Sequence, residues 1–172
     1  YDANNDQQLI GERLECKELC RDYNELRPKA MAERTALLKK ILGCVEGDLL
    51  VEQPFLCDYG YNIRIGRNFY ANHNLIILDE APVTFGDNVF IAPNCGFYTA
   101  GHPLDPAERN RGLEYAKPIT VGNNVWFGAC VTVLPGVTIG DNCVIGAGSV
   151  VVKDIPANSV AVGNPCKVVK SI

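Results

Sequence analysis

Residues 121–151 read Val-Gly-Asn-Asn-Val-Trp-Phe-Gly-Ala-Cys-Val-Thr-Val-Leu-Pro-Gly-Val-Thr-Ile-Gly-Asp-Asn-Cys-Val-Ile-Gly-Ala-Gly-Ser-Val-Val. An apolar residue returns at every sixth place, at Val121, Phe127, Val133, Ile139, Ile145 and Val151. Gly122, Gly128, Gly140 and Gly146 follow four of them, and Val125, Val131, Val137, Cys143 and Ser149 recur at a fixed offset of four. A six-residue unit is a short strand and a corner, too small to bury its own apolar side chain. Stacking such units into coils places those side chains in one column while the backbones pair between coils ~4.8 Å apart. The stretch therefore predicts a parallel β-helix.

Working outward, the same phase appears upstream in Ile65-Gly66, Ala71, Ile77, Phe85-Gly86 and Ile91-Ala92. Asp87-Asn88, Asn123-Asn124 and Asp141-Asn142 supply residues that accept tight corner conformations. The repeat is expected to end at Lys153-Asp154-Ile155-Pro156, with a short tail after Gly163-Asn164-Pro165. One interval interrupts it: from Tyr98 to Pro118 the period is lost, which predicts a protruding loop, and His102 lies inside it. Long loops on a regular scaffold commonly carry function.

Residues 1 to about 45 have a helical character instead. Ile10/Leu14 and Leu19/Tyr23/Leu26 recur at helical spacing, Pro28 breaks the run, and Met31, Leu38, Ile41 and Leu42 form a second stripe ending at Gly43. The expected division is a helical cap over 1–48, a coil over 49–160 with its loop at 98–118, and a tail over 161–172.

Composition excludes several classes. The 172 residues carry 16 Lys+Arg against 20 Asp+Glu, a net charge of −4, which disfavours nucleic-acid binding through bulk charge. The longest aliphatic run, Leu75 to Leu78, is far short of the ~20 residues that cross a membrane. Eight cysteines occur without any Cys-x-x-Cys, so reduced thiols in a cytoplasmic protein are expected, with Cys16 and Cys20 as small buried hydrophobes on one helix face. With two histidines, His73 and His102, a three-histidine zinc site cannot form, and no metal is expected.

His102 stands between Gly101 and Pro103 and is the better placed of the two for chemistry. An imidazole titrates near neutral pH, which suits a general base acting on a hydroxyl. Lys153, Lys167 and Lys170 sit near the C-terminal end of the coil, where cations could pair with phosphates. Gly128-Ala129 and Gly146-Ala147-Gly148 offer small turns that a ligand can approach closely.

Four segments carry a resemblance: Ile65-Gly66-Arg67-Asn68-Phe69-Tyr70-Ala71-Asn72, Thr99-Ala100-Gly101-His102-Pro103, Pro118 to Trp126, and Gly163-Asn164-Pro165-Cys166. Together with Tyr1-Asp2-Ala3-Asn4 they resemble the maltose/galactoside O-acetyltransferase family of hexapeptide-repeat acyltransferases. The resemblance implies a left-handed parallel β-helix and a homotrimer with active sites between subunits. It implies acetyl-CoA as donor, a sugar or similar hydroxyl compound as acceptor, and direct transfer without a covalent enzyme intermediate. Carried over by position, it makes His102 the base, places Asn72 at the reacting centre, and sets Glu114 to orient the histidine. It puts Asp2, Asp58, Tyr70 and the pair Asp79-Glu80 at the acceptor. Trp126, Gly128, Ala129, Ala147, Lys153, Lys167 and Lys170 fall on the CoA side. Asp58 stands where the galactoside enzymes carry serine and matches the maltose type, and Ala129 replaces a serine of some relatives. Two other readings use the same scaffold: a xenobiotic or lipo-oligosaccharide acetyltransferase, and a non-catalytic β-helical scaffold protein.

Overall fold

The six-residue period becomes a three-faced coil in the computed structural model, which describes all residues 1–172. One face stacks Cys44–Val45, Ile63–Ile65, Val83–Phe85, Ile119–Val121 and Thr138–Ile139 in parallel. The second stacks Leu49–Val51, Phe69–Ala71, Phe90–Ile91, Trp126–Phe127, Val144–Ile145 and Ser159–Val162. The third stacks Phe55–Cys57, Leu75–Leu78, Gly96–Tyr98, Thr132–Val133 and Val150–Val151. The parallel β-helix expected from the repeat is thus what forms.

Its interior is the column that the period prescribes. Val121, Phe127, Val133, Ile139, Ile145 and Val151 are all buried, as are Val125, Val131, Val137, Cys143 and Ser149. Phe69, Phe85, Phe97 and Phe127 run through it in edge-to-face contacts, with ring centroids 5.3, 5.0 and 5.2 Å apart. Such pairs add about 0.5–1.5 kcal/mol beyond the area they bury. One corner is an asparagine ladder: the side-chain amides of Asn68, Asn88, Asn124 and Asn142 each donate to the next asparagine in turn, ending at Asn158. All five residues have φ between 54° and 58°. Asparagine accepts this left-handed conformation better than other non-glycine residues, and here its side chain also links coil to coil.

Two helices close the first coil. Helix α1 (Gln7–Glu25) starts at Asp6, whose carboxylate accepts from the amides of Gln8 and Leu9, and α2 is Met31–Ile41. The first six residues are therefore not helical, and α1 buries Cys16, Cys20 and Tyr23 as expected while Leu14, of the expected stripe, turns outward. Leu14 is 59% exposed, while Cys16, Cys20 and Tyr23 are buried. The Tyr23 hydroxyl donates to the carbonyl of Val51, and Asn24 pairs with both backbone polar groups of Phe55. On α2, Arg34 is buried and donates to Val51 O at 2.7 Å and to the Glu52 carboxylate at 2.9 Å. These polar tips satisfy the open end of the coil, which explains why the helix face is less apolar than its spacing suggested.

The coil begins slightly earlier and ends slightly later than expected. Cys44–Val45 already pairs with the next coil, and Ser159–Val162 continues the second face. The tail then returns antiparallel, Lys167–Ser171 lying against Ser159–Val162. The protruding segment also has structure of its own. Ala100–Gly101 pairs antiparallel with Tyr115–Ala116, and a single helical turn, α3, covers Pro106–Arg109.

Candidate active site

Three consecutive coils leave the third face at the same corner, and each delivers a functional group there. Asp58 follows the strand Phe55–Cys57, Asp79 and Glu80 follow Leu75–Leu78, and the His102 hairpin follows Gly96–Tyr98. Asp58, Glu80 and Glu114 line one polar cavity of about 270 Å³ together with Arg13, Lys17, Ala3 and Asn4. Burial first, and the facing Asp58 carboxyl second, push the Glu80 carboxyl up to about 8. The Thr99 hydroxyl, at the root of the hairpin, donates to Leu78 O at 2.8 Å, and its oxygen lies 3.3 Å from Glu80 Oε2.

The segment around Tyr1 forms the outer wall. Tyr1 and Glu114 exchange backbone hydrogen bonds of 3.0 Å in both directions, and Asp2 bridges Leu113. The Tyr1 hydroxyl donates to Glu114 Oε2 at 2.7 Å. Glu114 directly precedes the strand Tyr115–Ala116, and Gly101, the residue before His102, pairs with Tyr115. His102 is itself exposed. Asp2 accepts from the amides of Asn4 and Asn5 and from the Asn5 side chain, and these bonds, the side-chain one foremost, hold its carboxyl below the usual range.

Asp79 occupies a different place from its neighbour. It is wholly buried, and its Oδ1 accepts from the backbone of Asp58 at 3.1 Å and of Tyr59 at 2.9 Å. Burial raises its carboxyl to about 6. Its contacts hold the turn that presents Asp58.

The remaining residues lie elsewhere on the chain. Tyr70 and Asn72 belong to the second face and the corner after it, and Asn72 Oδ1 accepts from His73 N at 2.8 Å. Along that face the outward row runs Leu50, Tyr70, Phe90, Trp126, Val144, Val160 and Lys170 in continuous register. Trp126 is 55% exposed in this row. Gly128 sits at the next corner, where a Cβ would come 2.6 Å from the backbone nitrogen of Ala147, so coil stacking alone demands a glycine. Lys167 and Lys170 lie on the last strand, opposite Val162 and Val160, and Lys153 follows Val150–Val151 on the third face.

Arg13 is a member of the cavity that the spacing of the sequence did not reveal. It donates to the Tyr59 hydroxyl at 2.8 Å and to Ala3 O at 2.6 Å, tying α1 to both cavity walls. Lys17, one helical turn on, stands 3.9 Å from the Asp58 carboxylate. Their i,i+4 spacing on α1 was the available signal, but it names no target until the helix is docked.

The family model described as the maltose acetyltransferase hexapeptide capping motif matches residues 1–47, and the bacterial transferase hexapeptide model (six repeats) matches 118–153. The galactoside O-acetyltransferase of Escherichia coli (strain K12) is 51% identical over 164 residues, covering 95% of this chain and 81% of the relative. The chain belongs to the maltose/galactoside O-acetyltransferase family. Solved structures of that family superpose closely. A galactoside acetyltransferase in complex with coenzyme A gives a TM-score of 0.96 at 49% identity, over 98% of this chain and 84% of the other. A maltose O-acetyltransferase from Clostridium difficile 630 gives 0.98 at 52% identity, over 100% and 91%. Membership makes this chain an acetyltransferase, which removes the non-catalytic scaffold reading.

Proposed function

We propose that the chain transfers acetyl from acetyl-CoA to a hydroxyl of a sugar, with His102 as general base. The observation that carries this reading is the convergence of Asp58, Glu80 and Glu114 on one polar cavity, Glu114 lying directly before the strand that pairs with Ala100–Gly101, the residues preceding His102. A polyhydroxylated acceptor suits that lining, because carboxylates accept and Arg13 and Lys17 donate. With its proton retained up to about 8, Glu80 also offers a donor at neutral pH.

In the reaction, His102 removes the acceptor hydroxyl proton as the oxygen attacks the thioester carbonyl. The tetrahedral species collapses, the C–S bond breaks, and the imidazolium returns its proton to the CoA sulfur. No acyl-enzyme is needed. Glu114 supports the imidazolium electrostatically from across the ladder. Asp79 acts as a positioning residue through Asp58 and Tyr59.

The donor is placed along the second face. The outward row from Tyr70 through Trp126 to Lys170 spans five strand steps, about 24 Å at ~4.8 Å each. It offers an apolar, aromatic track for the pantetheine arm, and Lys170 with Lys167 at its end for phosphates. Lys153 would act from a neighbouring chain.

A homotrimer completes the site. Within one chain His102 leaves the third-face corner while Asn72 leaves the second-face corner. The first face turns Arg64, Thr84, Thr120 and Thr138 outward, but the second and third turn out Leu50, Tyr70, Phe90, Leu56, Ile76 and Val150. Two apolar faces and one polar face per prism suit a closed ring in which each chain uses both apolar faces. Eight free cysteines support a reducing cytoplasmic setting, and no helix is long and apolar enough to cross a membrane.

The decisive experiment is His102→Ala assayed for CoA release with maltose, glucosides and galactosides. We expect kcat to fall by about 10²–10⁴ while Tm is unchanged, because His102 is exposed. Unchanged turnover would overturn the assignment of the base. Turnover on an aromatic or lipid-linked alcohol, with none on any sugar, would favour the xenobiotic or lipo-oligosaccharide alternative.

A further inference from the structure

Helix α1 and the first coil bring together three thiols that are far apart in sequence. Cys16 and Cys20 project from one face of α1 onto Cys57, at the end of its strand on the third face. Cys16 Sγ lies 3.5 Å from Cys57 Sγ and Cys20 Sγ lies 3.7 Å from it, and all three sulfurs fall within 4.8 Å of one another. Each residue is buried, between 1% and 4% exposed. The sequence spacing argues for small buried hydrophobes, and three-dimensional placement adds something that spacing could not show.

The triangle has the dimensions of a coordination site. Three sulfurs bound at about 2.3 Å would stand roughly 3.8–4.0 Å apart, depending on how far the ion sits out of their plane. The observed separations need only small rotations to reach that range. Access also exists. Cys20 and Cys57 line a cavity of about 310 Å³ with Lys17, Arg21, Asn24, Asp58 and Leu56. Lys17, 3.9 Å from the Asp58 carboxylate, and Arg21, paired with Glu25 at 3.0 Å, put two cationic side chains on the lining of this cavity.

We propose that Cys16, Cys20 and Cys57 form a three-sulfur binding site for a soft thiophilic ion, distinct from the acetyl-transfer site. Soft thiolate ligands select such ions over magnesium or calcium. With trivalent arsenic the step is closed without an oxidant. Three S–H bonds and three As–O bonds of arsenous acid break, three As–S bonds form, and three waters leave. The product is neutral, which a buried site tolerates better than a net charge. With a divalent ion such as cadmium the three thiols release their protons, and the residual negative charge faces Lys17 and Arg21.

The site also touches the acceptor cavity. Asp58 follows Cys57 directly, and Lys17 and Asp58 line both cavities. An ion drawing Cys57 toward α1 would shift the turn that presents Asp58, so occupancy should raise the acceptor KM more than it lowers kcat.

The test uses the full chain, reduced and free of air. Intact-mass spectrometry under native conditions after incubation with arsenite is expected to show one adduct whose mass gain is one arsenic less three hydrogens. Titration with cadmium should give a thiolate-to-cadmium charge-transfer band that saturates at one equivalent. Cys20→Ser should abolish both, and Cys130→Ser, which changes an exposed thiol, should leave both intact. An arsenic adduct that has lost only two thiol hydrogens, no adduct at all, or an adduct retained in Cys20→Ser would each overturn the proposal. Should Cys20→Ser fail to fold, peptide mapping of the native adduct decides: arsenic on any thiols other than these three refutes the site.

Discussion

Asp58 and Glu80 face one another in a single polar cavity, one coil apart, and the closeness of the two acids helps hold Glu80 protonated to about pH 8. The stability consequence has a definite sign. Glu80 in the folded chain binds its proton more tightly than an ordinary glutamate carboxyl at 4.5, so the folded state carries the extra proton between 4.5 and about 8. Stability is therefore greatest at the acid end of that window and falls as pH rises through it. Glu80→Gln should flatten this decline: Tm close to that of the parent chain at the acid end, and higher than the parent above pH 8. Differential scanning calorimetry across the window checks it, and an equal slope in both proteins would contradict the cavity's electrostatics.

Asp79 shows the same sign over a different range, since burial raises it from 3.8 to about 6. One of its oxygens, Oδ2, is buried without a partner, while Oδ1 accepts from Asp58 and Tyr59. Asp79→Ala strands both amides, at about 1–3 kcal/mol for each one left unsatisfied. Asp79→Asn keeps an acceptor for them and carries no charge. The alanine variant should lose stability in urea titrations and show a raised acceptor KM, whereas the asparagine variant should recover most of both. Equal losses in the two would mean that charge, not the hydrogen bonds to the turn, is what Asp79 supplies.

How much of this was legible before folding depends on whether the signal was local. The six-residue period is local, and every residue it placed inward from Val121 to Val151 is buried. The corners were equally plain, because Asp-Asn pairs state their own backbone preference. On α1 the burial of Cys16, Cys20 and Tyr23 was legible too, but the outward turn of Leu14 was not, because the surface α1 meets is an open coil end whose carbonyls want donors. The protruding segment was legible as a break in the period, but not its hairpin, which is closed at the root by Lys117 N donating to Thr99 O and held from outside by Tyr1, more than a hundred positions before Glu114. The cavity residues Arg13 and Lys17, and the thiol triangle, depend on docking a helix against a strand some 40 residues on. Spacing rules reach only along one element.

The asparagine ladder carries two separable contributions. Asn124 adopts φ 56°, accepts from Asn88 at 3.1 Å, and donates to Asn142 at 3.0 Å. Asn124→Gly keeps the left-handed backbone at low cost but removes both ladder bonds. Asn124→Ala removes the bonds and leaves a Cβ in that region without the polar side chain that lets asparagine tolerate it, about 1–2 kcal/mol worse than glycine. Denaturant midpoints should therefore rank parent above glycine above alanine. A glycine variant as unstable as the alanine would assign the whole effect to the hydrogen bonds.

Separation of His102 and Asn72 onto different corners gives the inter-subunit site its sharpest test. If one chain supplies His102 and the next supplies Asn72, a chain lacking one group can be completed by a chain lacking the other. His102→Ala and Asn72→Ala are each expected to be nearly inactive alone. After co-refolding in equal amounts, random assembly of a cyclic trimer joins an intact His102 to an intact Asn72 at about one quarter of the sites. Recovered acetyl transfer near that fraction, with a trimer mass by sedimentation, is the expected result. Sites contained within single chains would give no recovery on mixing, since every chain then lacks one group. The same mixture made from chains carrying both substitutions and parent chains should retain about one quarter as well under the shared-site arrangement, and about one half if each chain holds a complete site.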